Sequence, residues 1–485
     1  MNKYQILPFK FTRFNTDTVF ITNEVGEFLF ISNEDFEKFV SYKLHDNNKT
    51  YLDLKSKHIL TDSSLTSVIN MLSVKYRTKK SFLQNFTSLH MVVSTLRCNS
   101  KCIYCQVSHK DLCDKGYDMD KNTASKVVDM IFKSPSPDIK IEFQGGEPLL
   151  NFDIIKFIIE RSIKINKKIN KNLEFVICTN LILITDSILN YLKKYNNVYI
   201  STSLDGPDNL HSNNRPLQSG ENSYSIFIQN LTKTRQILGK HKVDALMTTT
   251  GLNITYFAEV IDEYIRLGFN NIFLRSLNPY GFAQKQREIV GYPIEFFIEE
   301  YKKALLYIIE LNKKGIYFIE SFACLLLTKI LTPFPTYFVD LQSPAGIGIS
   351  GVIYDYNGNV YPSDESRMLA AMGDNKFLLG NVMKNSYNEI FNGDYLKSLI
   401  KSSCLESLPG CSCCAYNMFC GADPIRHYSE HGDIIQNPIK SNVCKKNKGI
   451  ISFLLDLIRK DNEEINNIFW SWITRRPLTE IKRCS

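Results

Sequence analysis

From residue 88 onward, apolar runs of five to eight residues alternate with longer stretches whose apolar positions recur every three or four residues. The runs LHMVVSTL, IKIEF, LEFVICT, VYISTSL, VDALMTT and NIFLRS predict buried strands. Between them the periodicity predicts helices over roughly 120–133, 151–168, 185–195, 223–239 and 254–267. Strands and helices in this order call for parallel strands joined by helical crossovers, hence an α/β barrel or an open sheet. Six strands fall short of the eight that close a barrel, so the expectation is a partial (β/α)6 barrel.

The pattern differs on either side. In residues 1–80, TVFITNEV and EFLFIS read as a hairpin around Gly26. NEDFEKFVSY, with Asn33 as its N-cap, and YLDLKSKHIL then read as short amphipathic helices. Such a small α+β module carries no chemistry of its own and suits peptide binding or a structural cap. Residues 81–280 hold the barrel pattern, and 281–340 form a helical bridge. Residues 341–450 are rich in Gly, Asn, Asp and Cys with little core-forming pattern, as in a domain stapled by metal. Residues 451–485 form a helical tail that includes GIISFLLDLIRK.

Composition narrows the class. With 44% hydrophobic and 22% charged residues over 485 positions, the chain has the balance of a globular protein of more than one domain. There is no long apolar span and no apolar segment at the N-terminus, so the expectation is a cytoplasmic protein with no membrane contact. The net charge of +8 is spread along the chain, mostly as lysine, which suits a solvated surface better than nucleic-acid binding. The 13 cysteines are clustered, which in a reducing compartment points to metal or redox chemistry.

The first cluster is TLRCNSKCIYCQVSHK, with Cys98, Cys102 and Cys105 spaced C-x3-C-x2-C. Three readings are open: plain buried thiols, a zinc site that recruits His109, and a [4Fe–4S] cluster with one iron left without a protein ligand. An iron of that kind can bind a small molecule and pass it an electron. The loop follows the first barrel strand, at the carboxyl edge where parallel sheets build their sites. After the second strand comes QGGEPLL, running from Gln144 through Gly145 and Gly146 to Glu147. Its glycines let backbone approach a ligand, and Glu147 offers a carboxylate to an amine. Thr179 and Asn180 follow the third strand, and Ser203 and Asp205 follow the fourth.

C-x3-C-x2-C with Tyr104 before the last cysteine, followed by GGEP, resembles the radical S-adenosylmethionine enzymes. The resemblance implies that Cys98, Cys102 and Cys105 hold a [4Fe–4S] cluster whose open iron chelates S-adenosylmethionine. Reductive cleavage of the sulfonium then gives a 5′-deoxyadenosyl radical that takes a hydrogen from the substrate. It also implies that Gly145, Gly146 and Glu147 hold the amino group, with Thr179, Asn180, Ser203 and Arg215 on the ribose or carboxylate. Tyr104 and Gln144 belong to the same cofactor-binding set.

A second set, Cys411, Cys414, Cys420 and Cys444, supplies four soft ligands, which by composition alone favour zinc. Beside the first motif the segment resembles the SPASM extension, which implies auxiliary [4Fe–4S] clusters. A full extension has seven cysteines, but here Ser363 and Pro424 stand at two cysteine places and SPAGIGIS offers no thiol. One auxiliary cluster is therefore expected, with Cys404 and Cys413 as substitute ligands and Cys113, Cys178, Cys324 and Cys484 unliganded. Asp364 stands where some relatives place a proton-accepting aspartate; a turn residue is the plainer reading.

LPFKFTRF…VFITNEVGEFLFIS, the cysteine loop and LPGCSCCAYNMFCGADP together resemble the HxsB maturases of the His-Xaa-Ser system. That resemblance implies a ribosomally made precursor peptide as substrate and a partner radical maturase of the same system. It also implies an electron donor such as ferredoxin or flavodoxin, and a leader-gripping role for residues 1–80. The competing class is a zinc-stabilised scaffold that binds peptide or nucleic acid without catalysis; it has no use for QGGEP after a strand.

Overall fold

The computed structural model describes residues 4–84 and 86–481. The chain divides into two compact units, one made of 1–83, 323–346 and 401–485, the other of 84–322 and 347–400. These units do not follow the linear boundaries expected above, because both are assembled from separated stretches of chain.

The first unit begins with β1 (Gln5–Ile6), β2 (Phe9–Arg13), β3 (Thr18–Asn23) and β4 (Phe28–Ser32). β2, β3 and β4 form an antiparallel meander, and the β3–β4 turn passes through Gly26 at φ +80. α1 (Asn33–Val40) is capped by Ser32, whose hydroxyl accepts from Asp35 N, so Asn33 is the first helical residue and not the cap. α2 (Lys49–Ser56), β5 (Leu60–Thr61) and α3 (Leu65–Lys79) follow, with β5 antiparallel to β1. The core joins the sheet to the helices through Val19, Ile21, Phe39, Tyr51 and Leu54.

The second unit holds β6 (Leu89–Thr95), α4 (Lys121–Ile131), β7 (Asp138–Gly145), α5 (Phe152–Ile169) and β8 (Asn172–Cys178). It continues through α6 (Asp186–Leu192), β9 (Val198–Ser203), α7 (Asp208–Asn214), α8 (Ser223–Leu238), β10 (Val243–Thr248) and α9 (Phe257–Arg266). The run NIFLRS splits into β11 (Asn271–Ile272) and β12 (Leu274–Arg275). β12 lies parallel to β10, whereas β11 lies parallel to β13 (Ile319–Glu320). Between them come α10 (Gly281–Lys285), α11 (Arg287–Val290) and α12 (Ile294–Lys313); α13 (Ser321–Leu331) leads out of the unit.

The strands expected from the apolar runs form one sheet, ordered β12-β10-β9-β8-β7-β6, with every neighbour parallel. The sheet is longer than expected. β14 (Gly351–Tyr354) adds parallel to β6, and β15 (Asn359–Tyr361) and β16 (Gly380–Asn381) extend it antiparallel, giving a nine-stranded mixed sheet. The four residues of β14 are all buried, so they lack the alternation that marks a half-buried strand. α14 (Asp364–Ala371), α15 (Tyr387–Phe391) and α16 (Asp394–Lys401) complete this stretch.

Parallel strands β7 and β10 are not buried on both faces. On β7, Ile139, Ile141 and Phe143 are buried while Lys140, Glu142 and Gln144 are not. β10 alternates in the same way. On these two strands one face therefore belongs to the core and the other is open, as an unclosed barrel requires of its interior.

The first unit ends with α17 (Pro424–His431), α18 (Asn442–Arg459) and α19 (Glu463–Thr474). GIISFLLDLIRK is the later part of α18, whose start is capped by the Ser441 hydroxyl on Cys444 N. Among the described residues no helix is long and apolar enough to cross a membrane.

The end of β6 is tied down by a bidentate ion pair. Arg97, 8% exposed, places Nε and Nη2 on the two Asp118 oxygens, both at 2.7 Å, and Thr95 Oγ1 also donates to Asp118. Removing one partner strands the other charge in a poorly solvated site. Asp118→Ala should therefore cost about 3 kcal/mol, read as a lower midpoint in anaerobic thermal unfolding.

Candidate functional site

The segment Cys98–Cys105 leaves β6 as a loop held on several sides by main-chain bonds. Cys98 N donates to Lys110 O, Lys101 N to Pro216 O, Ile103 N to Asn214 O, and Phe282 N to Cys105 O, at 2.7–3.1 Å. Side chains add to this. Gln218 Nε2 donates to Cys98 O at 2.8 Å, and the Asn180 amide donates to Asn99 Oδ1 and Ser100 Oγ at 2.8 and 3.0 Å. A segment that reads as polar loop is thus buried at Cys98, Asn99 and Ser100.

Cys98, Cys102 and Cys105 are all free thiols. Burial pushes the Cys98 thiol up, and the charges of Cys102, Glu147 and Cys105 add to the shift. Cys102 is pushed up to about 11, by burial first, against the pull of Arg215. Cys98 and Cys102 are thus poorly solvated, Cys105 lies near enough to act on both, and Ser100 N donates to Cys98 Sγ at 3.4 Å. The donor chemistry fits a thiolate-bound iron–sulfur cluster. His109, considered as a zinc ligand, packs its ring edge-on to Phe282 at 5.0 Å, and its Nδ1 is buried without a partner among the described residues.

The Gly-Gly-Glu turn lies against the backbone that enters this loop. A Cβ on Gly145, at φ +139, would stand 2.0 Å from Thr95 O. One on Gly146 would stand 2.1 Å from Arg97 O and 2.5 Å from Leu96 O. Sequence reasoning assigned the close approach to a ligand; here both glycines are required by the chain itself. Gly146 N and Glu147 N donate to Thr95 O and Arg97 O at 2.9 and 2.7 Å, completing the seam.

Glu147 is 1% exposed, and its carboxylate is engaged. It accepts from Thr179 Oγ1 at 2.7 Å, Asn180 N at 2.9 Å and Leu149 N at 3.1 Å. Burial raises its pKa, opposed by those same three bonds. Thr179 and Asn180, expected as ribose or carboxylate contacts, are brought here as anchors between the end of β8, Glu147 and the cysteine loop. Gln144 donates to Glu142 on the open face of β7, and Ser203 closes β9, half-buried.

Tyr104 bridges Arg215 to Asp205, a rim residue whose partner the sequence did not reveal. Tyr104 OH donates to Asp205 Oδ2 at 2.6 Å and accepts from Arg215 Nη1 at 2.5 Å. Burial raises the Asp205 pKa against the pull of Arg215. Burial also works against the Arg215 charge, yet Cys102, Tyr104 and Asp205 outweigh it and hold the guanidinium protonated. Asp205 sits in SLDGP, a common turn sequence, and its partner is 101 residues away, so no local signal marked the contact. Asn99, Asn214 and Gln218 were missed for the same reason.

Ser363, expected at a cysteine place of the SPASM pattern, caps α14, forming a reciprocal box with Ser366. Asp364 is then the first helical residue, half-buried, where a carboxylate is favoured by the helix dipole. Arg367 on the same helix donates to Val107 O at 3.1 Å, which brings α14 to the chain just beyond Cys105.

In the first unit, burial pushes Cys411 up to about 12, and Cys420, Cys444 and Cys414 raise it further. Cys444 is pushed up to about 11 by burial and by Cys420 and Cys414. The four expected ligands thus form one electrostatic group. Cys413 is exposed, and Cys404 responds to burial, Glu406 and Lys80 and not to the other thiols. Pro424, at the other lost cysteine place, opens α17 at a position where its missing N–H costs nothing. Of the thiols expected to be unliganded, Cys113 is exposed, Cys178 half-buried and Cys324 buried, while Cys484 lies outside the described residues. Among the described residues no three His, Cys, Asp or Glu side chains stand at single-ion spacing, so the fit of both sets is one of donor chemistry and placement.

Residues 92–264 match the Radical SAM superfamily. The uncharacterized protein MJ0907 of Methanocaldococcus jannaschii is 30% identical over 231 residues, covering 47% of this chain and 72% of that protein. A cysteine-type anaerobic sulfatase-maturating enzyme of Clostridium novyi is 25% identical over 338 residues, 65% of this chain and 82% of that enzyme. In fold, the chain is similar to native anSMEcpe with bound AdoMet (TM-score 0.62, 19% identity, 77% of this chain and 100% of that one). It is also similar to Streptococcus suis SuiB bound to the precursor peptide SuiA (TM-score 0.51, 13% identity, 91% and 100%).

Gly146→Ala tests the seam, because its methyl group would collide with main-chain oxygens that have nowhere to go. The expected outcome is loss of iron from the N-terminal thiols and a lower unfolding midpoint, whereas an alanine at Gly116, whose Cβ would meet only Asp114 Oδ1 at an ordinary 3.4 Å, should leave iron content unchanged.

Proposed function

Because this chain belongs to the radical SAM superfamily, we propose that it is a SPASM-type maturase that oxidatively modifies a ribosomally made precursor peptide. The observation that carries the proposal is the clamped three-thiol loop seamed to Gly145, Gly146 and Glu147 at the carboxyl edge of a parallel sheet. The cluster held there, with S-adenosylmethionine, supplies one-electron reduction and a carbon radical able to take hydrogen from an unactivated C–H bond.

The chain's own residues bind and orient. Cys98, Cys102 and Cys105 are the three thiolate ligands. Gly145 and Gly146 present main chain to the amino group of the cosubstrate, on a turn that Glu147 holds rigid. Arg215 has five donors, of which Tyr104 takes one, so its guanidinium is suited to a carboxylate. Ser203 and Gln144 line the partly open face on which ribose and substrate would lie. Asp364, at the start of α14, would accept a proton from the substrate. Cys411, Cys414, Cys420 and Cys444 hold one auxiliary [4Fe–4S] cluster.

The substrate assignment goes further, to the His-Xaa-Ser type of system, with its second radical maturase as a partner and a ferredoxin or flavodoxin as electron donor. SuiB, similar in fold, has been solved with its precursor peptide. Residues 1–80 would grip the leader segment, since β2 and β4 are edges of a three-stranded sheet and an extended peptide can add to such an edge.

Anaerobically purified protein should be brown with about eight irons per chain. Replacing Cys98, Cys102 and Cys105 by alanine should remove about half of that iron and abolish 5′-deoxyadenosine formation; a colourless protein with stoichiometric zinc would overturn the proposal.

The second experiment is mass spectrometry of the neighbouring precursor peptide, co-expressed with this chain. Wild type should change the peptide mass. Cys411→Ala with Cys414→Ala should leave it unmodified while sparing some uncoupled cosubstrate cleavage. Deleting residues 1–80 should weaken peptide binding more than cosubstrate cleavage, whereas equal loss of both would mark that module as a structural cap.

A further inference from the structure

Asn447 lies on α18 three residues after Cys444 and is 2% exposed. Its Nδ2 donates to Cys420 Sγ at 3.4 Å, and its Oδ1 is buried with no partner among the described residues. An amide buried with one end unmet is costly, and an isosteric leucine would avoid that cost. The residue therefore serves something other than packing.

A metal-bound cysteine sulfur carries no proton, so only the N–H end of an amide can face it. The observed orientation is the one a bound cluster demands. Cys420 also differs from the other three ligands. A cavity that includes Lys79, Lys80, Lys329 and Glu406 in its lining has Cys420 in its wall, and Cys411, Cys414 and Cys444 do not line it.

We propose that Asn447 raises the reduction potential of the cluster held by Cys411, Cys414, Cys420 and Cys444, through an N–H···S hydrogen bond to Cys420. Reduction adds negative charge to the cluster sulfurs, and a donor stabilises the reduced form more than the oxidised one. The inference rests on the one-auxiliary-cluster reading above.

The test is an EPR-monitored redox titration of the full chain with Cys98, Cys102 and Cys105 replaced by alanine, so that one cluster gives the signal. Asn447→Leu keeps the volume and removes the donor; Asn447→Asp keeps the shape and puts an acceptor at the sulfur. The expected result is a midpoint shifted to more negative potential in Asn447→Leu and further in Asn447→Asp, at unchanged iron content. An unmoved midpoint with iron intact overturns the proposal. Loss of iron from both variants also overturns it, because Asn447 would then hold the cluster and not tune it. Absence of iron from the parent with Asn447 in place sinks the auxiliary-cluster reading itself, and the tuning role with it.

Discussion

The buried carboxylate of Glu147 joins the ends of neighbouring strands to the loop that carries the chemistry. Its main-chain N–H bonds Arg97, where β6 gives way to the cysteines, while its side chain gathers Thr179 and Asn180 beyond β8. Asn180 in turn holds Asn99 and Ser100 inside the loop. A carboxylate this deep is tolerable only because three donors meet it. Two flanking glycines are needed because any side chain there would strike the β6 backbone. The motif is thus first a device for joining strand ends, and its service to a ligand follows from the rigidity it creates.

The same economy governs Tyr104, Asp205 and Arg215. A cation and an anion buried together would gain little unless their remaining polar sites were met. The tyrosine hydroxyl lies between them, giving its proton to Asp205 and accepting from Arg215. This keeps a positive charge beside Cys102, in a region where burial disfavours a thiolate. The open polar face of the sheet belongs to the same design. Lys140, Glu142 and Gln144 alternate with buried Ile139, Ile141 and Phe143, so one strand serves the core with one face and leaves the other open.

Where cysteines of the fuller SPASM pattern are missing, the replacements have structural work. Ser363 caps α14 and Pro424 opens α17, both at helix starts that suit those residues. The four cysteines that remain influence one another electrostatically, whereas Cys404 answers to Glu406 and Lys80.

The amino-acid sequence by itself determined the alternation of strands and helices, the Gly26 hairpin and the two cysteine groups, because each is a local pattern of periodicity, turn chemistry or spacing. It could not determine that β14 joins the sheet beside β6, since four wholly buried residues carry no period and their partner lies some 260 positions earlier. Nor could it say that Gly145 and Gly146 face Thr95 and Arg97, that Glu147 is engaged, or that Asp205 meets Tyr104. Those facts are decided by which strand ends come together. Only the tertiary structure brings distant backbone and side chains within hydrogen-bond reach, and the positions of the functional groups depend on that reach.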